Sequence, residues 1–128
     1  MDLLLDTHVF LWWDSNDTRL GLSARAAIAS AANQVFVSAA SIWEIAIKAR
    51  LGKLAFAGSP TAAIDSNGFR ALPILPIEAE SAGNLAWSHA DPFDRILVTQ
   101  AERRSLTLVT ADTAIRDHSA LALLWAAG

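Results

Sequence analysis

The sequence contains no cysteine, which removes disulfides, thiolate catalysis and cysteine-based zinc sites together. That absence fits a reducing compartment, and a cytoplasmic location is expected. The three histidines, His8, His89 and His118, have no close metal-ligand spacing, so zinc is disfavoured. No apolar run reaches the roughly 18 residues of a membrane span. The N-terminus lacks a basic stretch before its apolar start, and Asp2 and Asp6 bracket that start instead. A secretory signal is therefore not expected.

What is present is a chain of 128 residues, 53% of them hydrophobic. That is enough to bury a real core, and one domain spanning residues 1–128 is expected. Ten basic and 13 acidic side chains give a formal charge of −3, which at first argues against a nucleic-acid partner. Clustered acids would change that reading. Setting aside Asp6, Glu44, Asp94 and Asp112 leaves nine acids against ten bases, so the remaining surface is near neutral and compatible with a polyanion.

The most informative stretch is His89-Ala90-Asp91-Pro92-Phe93-Asp94-Arg95. Proline is tolerated best at the first helical position, which makes Asp91 an N-cap and Asp94 the third helical residue. Two acids at a helix start are in themselves ordinary, because they complement the helix dipole. Their company is not ordinary. Leu3-Leu4-Leu5 is a continuous apolar run, as in a buried parallel strand, and Asp6 falls at its carboxyl end. Gln34 to Ser38 is a second strand, followed by a helix from Ala39 to Leu51 that stops at Gly52. In that helix Ile42, Ile45, Ala46 and Ala49 form a core-facing stripe, while Glu44 and Lys48 share the adjacent face. Glu44 is either one half of a surface ion pair with Lys48 or an acid pointing back over the sheet edge towards Asp6. Leu106 to Thr110 is the clearest strand, and Asp112 follows it.

The remaining chain supplies scaffold. Ser23 is expected to cap a helix through Ala32, Ser59-Pro60 to open a helix ending near Asn67-Gly68, and Glu78 to Trp87 to be helical. Leu72 to Leu75, bounded by prolines, makes a short edge strand at best. A helical turn around Ile115 and an apolar run from Leu121 to Trp125 close the sequence. Trp43 and Trp125 are expected to pack. Strands alternating with helices call for a mainly parallel sheet covered on both faces.

Four strand-to-helix passages thus bring Asp6, Glu44, Asp94 and Asp112 to one sheet edge, with Asp91 near. Like charges so placed repel, and a divalent cation relieves them. Carboxylate oxygens suit Mg²⁺ or Mn²⁺, and such a centre can activate water or neutralise charge on a phosphodiester under attack. Thr7 and Thr110 are candidates to hold a carboxylate by a hydroxyl hydrogen bond. His89 is a candidate to orient Asp91 or to bind RNA, and Arg95 either contacts phosphate or is a solvated helix residue.

Together, Leu3-Leu4-Leu5-Asp6-Thr7-His8, Ser41-Ile42-Trp43-Glu44-Ile45 with Lys48 and Gly52-Lys53-Leu54, the His89 to Arg95 stretch with Gln100-Ala101, and Val109-Thr110-Ala111-Asp112 resemble a PIN-domain ribonuclease of the VapC toxin type. The resemblance covers nearly the whole chain in the right order. It implies an α/β/α sandwich with a central, mainly parallel sheet, and an Mg²⁺- or Mn²⁺-dependent endoribonuclease. Its catalytic and metal-binding acids correspond here to Asp6, Glu44, Asp94 and Asp112, with Asp91 as a further candidate ligand. It also implies an RNA substrate from the translation machinery (transfer, ribosomal or messenger RNA), a VapB-like antitoxin and a homodimer. One departure is the absence of tyrosine, where such sequences often carry one soon after the last acid and this chain has Arg116-Asp117-His118.

Two rivals define what the structure must decide. Leu4-Leu5-Asp6-Thr7-His8 partly resembles the opening motif of haloacid-dehalogenase-like phosphatases, but that motif needs a second aspartate where His8 stands. The other rival is an inactive PIN module that binds RNA or protein without cleaving it.

Overall fold

The computed structural model describes residues 1–118 and 122–128. Its centre is a five-stranded, wholly parallel sheet. The strands are β1 (Asp2–Leu5), β2 (Gln34–Ser38), β3 (Arg70–Leu72), β4 (Thr107–Thr110) and β5 (Leu123–Trp125), in the order β3-β2-β1-β4-β5. The chain moves outward from β1 through β2 to β3, then returns to the opposite side of β1 with β4 and β5. The switch point therefore lies between the carboxyl ends of β1 and β4, where open α/β sheets form their ligand crevice.

Alternation along β1 explains the layers. Leu3 and Leu5 point to one face and Leu4 to the other, and all three are fully buried. On the first face they meet Val9 and Phe10 of α1 (Thr7–Asp14), Ala24 and Ile28 of α2 (Leu22–Ala29), Ile45 of α3 (Ala39–Arg50) and Ile64 of α4 (Pro60–Ser66). On the second, Leu4 and Leu108 pack with Leu97, Val98 and Ala101 of α6 (Pro92–Arg104) and with Ile115 of α7 (Thr113–Arg116). The short α5 (Pro76–Gly83) packs on α6. The result is the expected α/β/α sandwich. No described helix is long and apolar enough to cross a membrane.

Several local expectations are revised. Helix α2 starts at Leu22 after a Gly21 cap and stops at Ala29, so Ser23 lies inside it and caps nothing. The helix expected over 78–87 starts earlier, at Pro76, and ends at Gly83. Its start is set by proline at the first position and by Glu78, whose Oε1 accepts from the Leu75 N–H at 2.9 Å. The edge strand ends at Leu72, ahead of Pro73, rather than running to Leu75. In α3 the buried side is Ala40, Ser41, Glu44 and Ile45, while Ala46 is exposed. Gly52 does end that helix, with φ +72°. Trp125 is half-buried, with the Arg116 guanidinium 4.9 Å from its ring centroid, and Trp43, though 60% exposed, packs edge-on against Phe93 with centroids 5.3 Å apart. Of the expected Leu121 to Trp125 run, Leu121 lies outside the described residues and Leu123–Trp125 form β5.

A polar node ties α5 to α6. Glu78 is buried and accepts from Arg104 Nε at 2.7 Å and from Gln100 Nε2 at 3.1 Å. The Arg104 guanidinium holds the Glu78 carboxyl down to about 2. Glu78→Gln removes that charge while Arg104 stays in place, and is expected to cost about 2–3 kcal/mol in urea unfolding at neutral pH. The deficit should shrink as pH falls from the ordinary glutamate value of 4.5 towards about 2, because the unfolded chain takes up a proton there that the folded carboxylate still refuses. A mutant as stable as wild type at pH 7 would contradict this role.

Candidate active site

The acids meet at the β1/β4 switch point. Asp6 follows β1 directly, and its backbone N–H bonds to the Val109 carbonyl of β4 at 2.9 Å. It occupies the cap position of α1, yet its side chain caps nothing. Instead Oδ2 accepts from the buried Thr110 hydroxyl at 2.6 Å. That hydroxyl in turn accepts from the Asp112 N–H at 3.0 Å, and Asp112 caps α7 through the Ala114 N–H at 2.8 Å. Asp6, Thr110 and Asp112 thus form one linked unit across the central strands.

Glu44 joins from α3. It is only 5% exposed, which rules out a purely surface ion pair. Its Oε1 accepts from the buried Thr7 hydroxyl at 2.7 Å, and Thr7 also lies 2.8 Å from the Ser41 hydroxyl. The ion pair with Lys48 exists as well, at 2.6 Å to Oε2. This contact raises the Lys48 pKa, and the fields of Asp91 and Asp94 add to the effect. Lys48 is therefore an internal cation at the rim of the acid cluster.

Helix α6 brings Asp91 and Asp94. Asp91 is the N-cap, with Oδ1 accepting from the Phe93 and Asp94 N–H groups at 2.9 and 3.1 Å. Asp94, at the third helical position, has Oδ2 2.7 Å from His89 Nε2. His89 therefore orients Asp94, not Asp91. One ligand atom each from His89, Asp94 and Asp112 lie within 4.8 Å of one another. Arg95 is neither free for phosphate nor a solvated residue. It donates to the carbonyls of Ala82, Leu85, Trp87 and His89 at 2.6 to 2.9 Å, and fastens the loop that delivers Asp91. Ser41 carries no role of its own in the sequence motif, although its place three residues before Glu44 on one helix face is a usable signal.

Charge crowding is visible in the proton affinities. Burial, with like charge from Asp91, Asp6 and Asp112, pushes the Asp94 carboxyl up to about 7 against the lowering effect of His89. Burial also raises Asp6, to which Asp112 and Glu44 add, while Thr110 and His8 oppose. Among the described residues, Asp6 Oδ1, Asp94 Oδ1 and Asp112 Oδ2 accept no hydrogen bond. Hard oxygen donors, strained by mutual repulsion and partly free, fit a divalent cation such as Mg²⁺ or Mn²⁺.

The model of the PIN domain family matches residues 3–121. The chain belongs to the PIN domain family. It is 32% identical to Ribonuclease VapC22 of Mycobacterium tuberculosis, in an alignment covering 91% of each chain. Two solved structures share the PIN fold. The VapBC2 structure from Rickettsia felis, bound to a promoter DNA fragment, matches with a TM-score of 0.66 at 13% identity, covering 97% of this chain and 98% of its counterpart. A toxin-antitoxin complex from Klebsiella pneumoniae matches with a TM-score of 0.67 at 18% identity, covering 96% of each chain. PIN membership removes the phosphatase rival, whose motif already failed at His8.

The sign of a pH effect follows from Asp94. In the fold it holds a proton up to about 7, whereas an ordinary aspartate releases it near 3.8. Between those values the folded state binds more protons, so stability falls as pH rises. Metal-free protein in EDTA is expected to melt at a lower temperature at pH 8 than at pH 5, and Asp94→Asn is expected to flatten that slope. Thermal melts of both proteins check it, and equal slopes would count against the crowding of Asp94.

Proposed function

We propose that this PIN domain is a metal-dependent endoribonuclease toxin of the VapC type, acting on RNA in translation and restrained by a VapB-like antitoxin. The observation that carries the reading is that Asp6 and Asp112 share the Thr110 hydroxyl while Asp112 and Asp94 offer oxygens within 4.8 Å of each other, in a chain 32% identical to a named ribonuclease. Four intact acids, whose like charges add to the burial that raises Asp6 and Asp94, are a poor feature for a module that only binds, since repulsion costs stability without a cation. Asp6, Asp94 and Asp112 would hold Mg²⁺ or Mn²⁺, with Asp91 and Glu44 as the further acids of the set.

A divalent ion bound there supplies Lewis acidity to phosphoryl oxygens and makes water a better nucleophile at neutral pH. The chain's own residues do the rest. Thr110, Thr7 and His89 fix the carboxylates, so little rearrangement is required when RNA arrives. Lys48 offsets part of the negative charge at the rim, which would otherwise repel the phosphate backbone. Among the described residues the hydroxyls nearest the acids are not free to act as covalent nucleophiles, since Thr7 and Thr110 already donate to carboxylates, and the chain has no cysteine. The reaction is then direct hydrolysis, in which water adds to phosphorus as the P–O bond to the leaving oxygen breaks.

Assembly follows the same family logic. A VapB-like antitoxin and a second copy of the chain are the proposed partners, in the cytoplasm. Trp43, exposed beside an apolar groove that it lines with Ile74, Ala79, Phe93 and Ile96, supports an assembled state. Single-stranded RNA loops are the favoured substrate class, because unpaired bases splay into a crevice more readily than duplex.

Purified protein should cut total cellular RNA into discrete fragments with Mg²⁺ or Mn²⁺ and not with EDTA. Asp94→Asn is expected to lower the rate by about 100-fold or more. A folded Asp94→Asn protein that cleaves as fast as wild type would sink the assignment of that residue. Folded wild type without any metal-dependent cleavage of RNA would favour the binding-module alternative.

A further inference from the structure

His89 is not one of the four acids, yet it makes the shortest side-chain contact to Asp94, 2.7 Å from Nε2 to Oδ2. Its ring is itself fixed. The Trp87 indole lies against it with centroids 4.7 Å apart and planes inclined by 32°. The His118 ring lies 4.6 Å from the same indole, at 38°, and is 3.5 Å from Glu102 on α6. Trp87 is thus partnered by both imidazoles, which makes it a packed support and leaves it poorly suited to receive a nucleobase. Arg95 secures the same loop from below through the Trp87 and His89 carbonyls. Two independent constraints therefore converge on one imidazole nitrogen.

We infer that His89 is a positioning residue: held by Trp87, it donates Nε2–H to Asp94 Oδ2, fixes the carboxylate rotamer and leaves Oδ1 as the oxygen offered to the cation. This rests on the proposed metal centre and adds to it. A carboxylate free to rotate must lose that freedom on binding an ion, whereas one already fixed by a donor does not. The other acids have comparable donors, Thr110 for Asp6 and Thr7 for Glu44, but only Asp94 depends on a loop side chain outside the sheet and α1.

The test is calorimetric titration of metal-free full-length protein with MnCl₂, which needs no RNA and no turnover. His89→Leu removes the donor and is expected to weaken Mn²⁺ binding about 10- to 100-fold. His89→Gln, which retains an N–H donor, should recover most of that loss. Trp87→Leu should weaken binding in the same direction with His89 intact, and circular dichroism on each variant reports folding. In an Asp94→Asn background, His89→Leu should cause no further loss, because the group it positions is gone. If Asp94→Asn weakens Mn²⁺ binding while His89→Leu does not, or if His89→Gln is as weak as His89→Leu, the positioning role is overturned. If Asp94→Asn binds Mn²⁺ like wild type, the metal-centre reading fails first and this inference with it.

Discussion

The hydrogen bond from Thr110 to Asp6 spans the point on which this molecule turns, between the central strands β1 and β4. Those strands are neighbours in space but stand at opposite ends of the sequence, and every other strand adds outward from one of them. At that junction two chain directions part, and the open crevice gathers side chains from β1, β4 and the helices that follow. The Thr110 hydroxyl is fully buried and serves both Asp6 and the Asp112 backbone. Its loss would leave a buried carboxylate without its donor and unlatch the acid that caps α7.

A common pattern extends from this bond. Asp6, Asp94 and Asp112 each have one oxygen in a hydrogen bond to the protein and the other in none among the described residues. Glu44 differs, since Thr7 and Lys48 occupy both of its oxygens. Lys48 thus gives the site a partial counter-ion, while burial, with like charge from Asp91, Asp6 and Asp112 added, makes Asp94 hold its proton up to about 7. Stability is sacrificed locally for a centre that a cation can complete. The two hydrophobic cores and the Glu78–Arg104 node, remote from that repulsion, supply the rigidity that keeps the acids together.

Much of this was legible in the chain because the decisive signals are local. Pro92 after Asp91 marks a helix start, and the Leu3 to Leu5 run ending at Asp6 marks a buried parallel strand meeting its crevice. Gly52 marks a helix stop for the same reason, its φ of +72° being difficult for other residues. What escaped depends on contacts far apart in sequence. Arg95 looked like a solvated residue because its carbonyl partners lie on a loop whose path the sequence does not specify. His89 reads from sequence as a partner of Asp91 or of RNA, whereas the helical geometry turns Asp94 towards it. Trp43 was expected to pack because it is large and apolar, and it does so at the surface, against Phe93, because α3 turns Ser41 and Glu44 inward in its place.

The central claim is that free carboxylate oxygens of Asp6, Asp94 and Asp112 converge on one cation centre at the β1/β4 switch point. Anomalous diffraction from crystals grown with Mn²⁺ tests it most directly, because the ion announces its own position. The account predicts a manganese peak within coordination distance of those three carboxylates, and its disappearance in Asp94→Asn crystals. Clear density for the ordered acids with no peak between them, or a peak bound elsewhere, would contradict it.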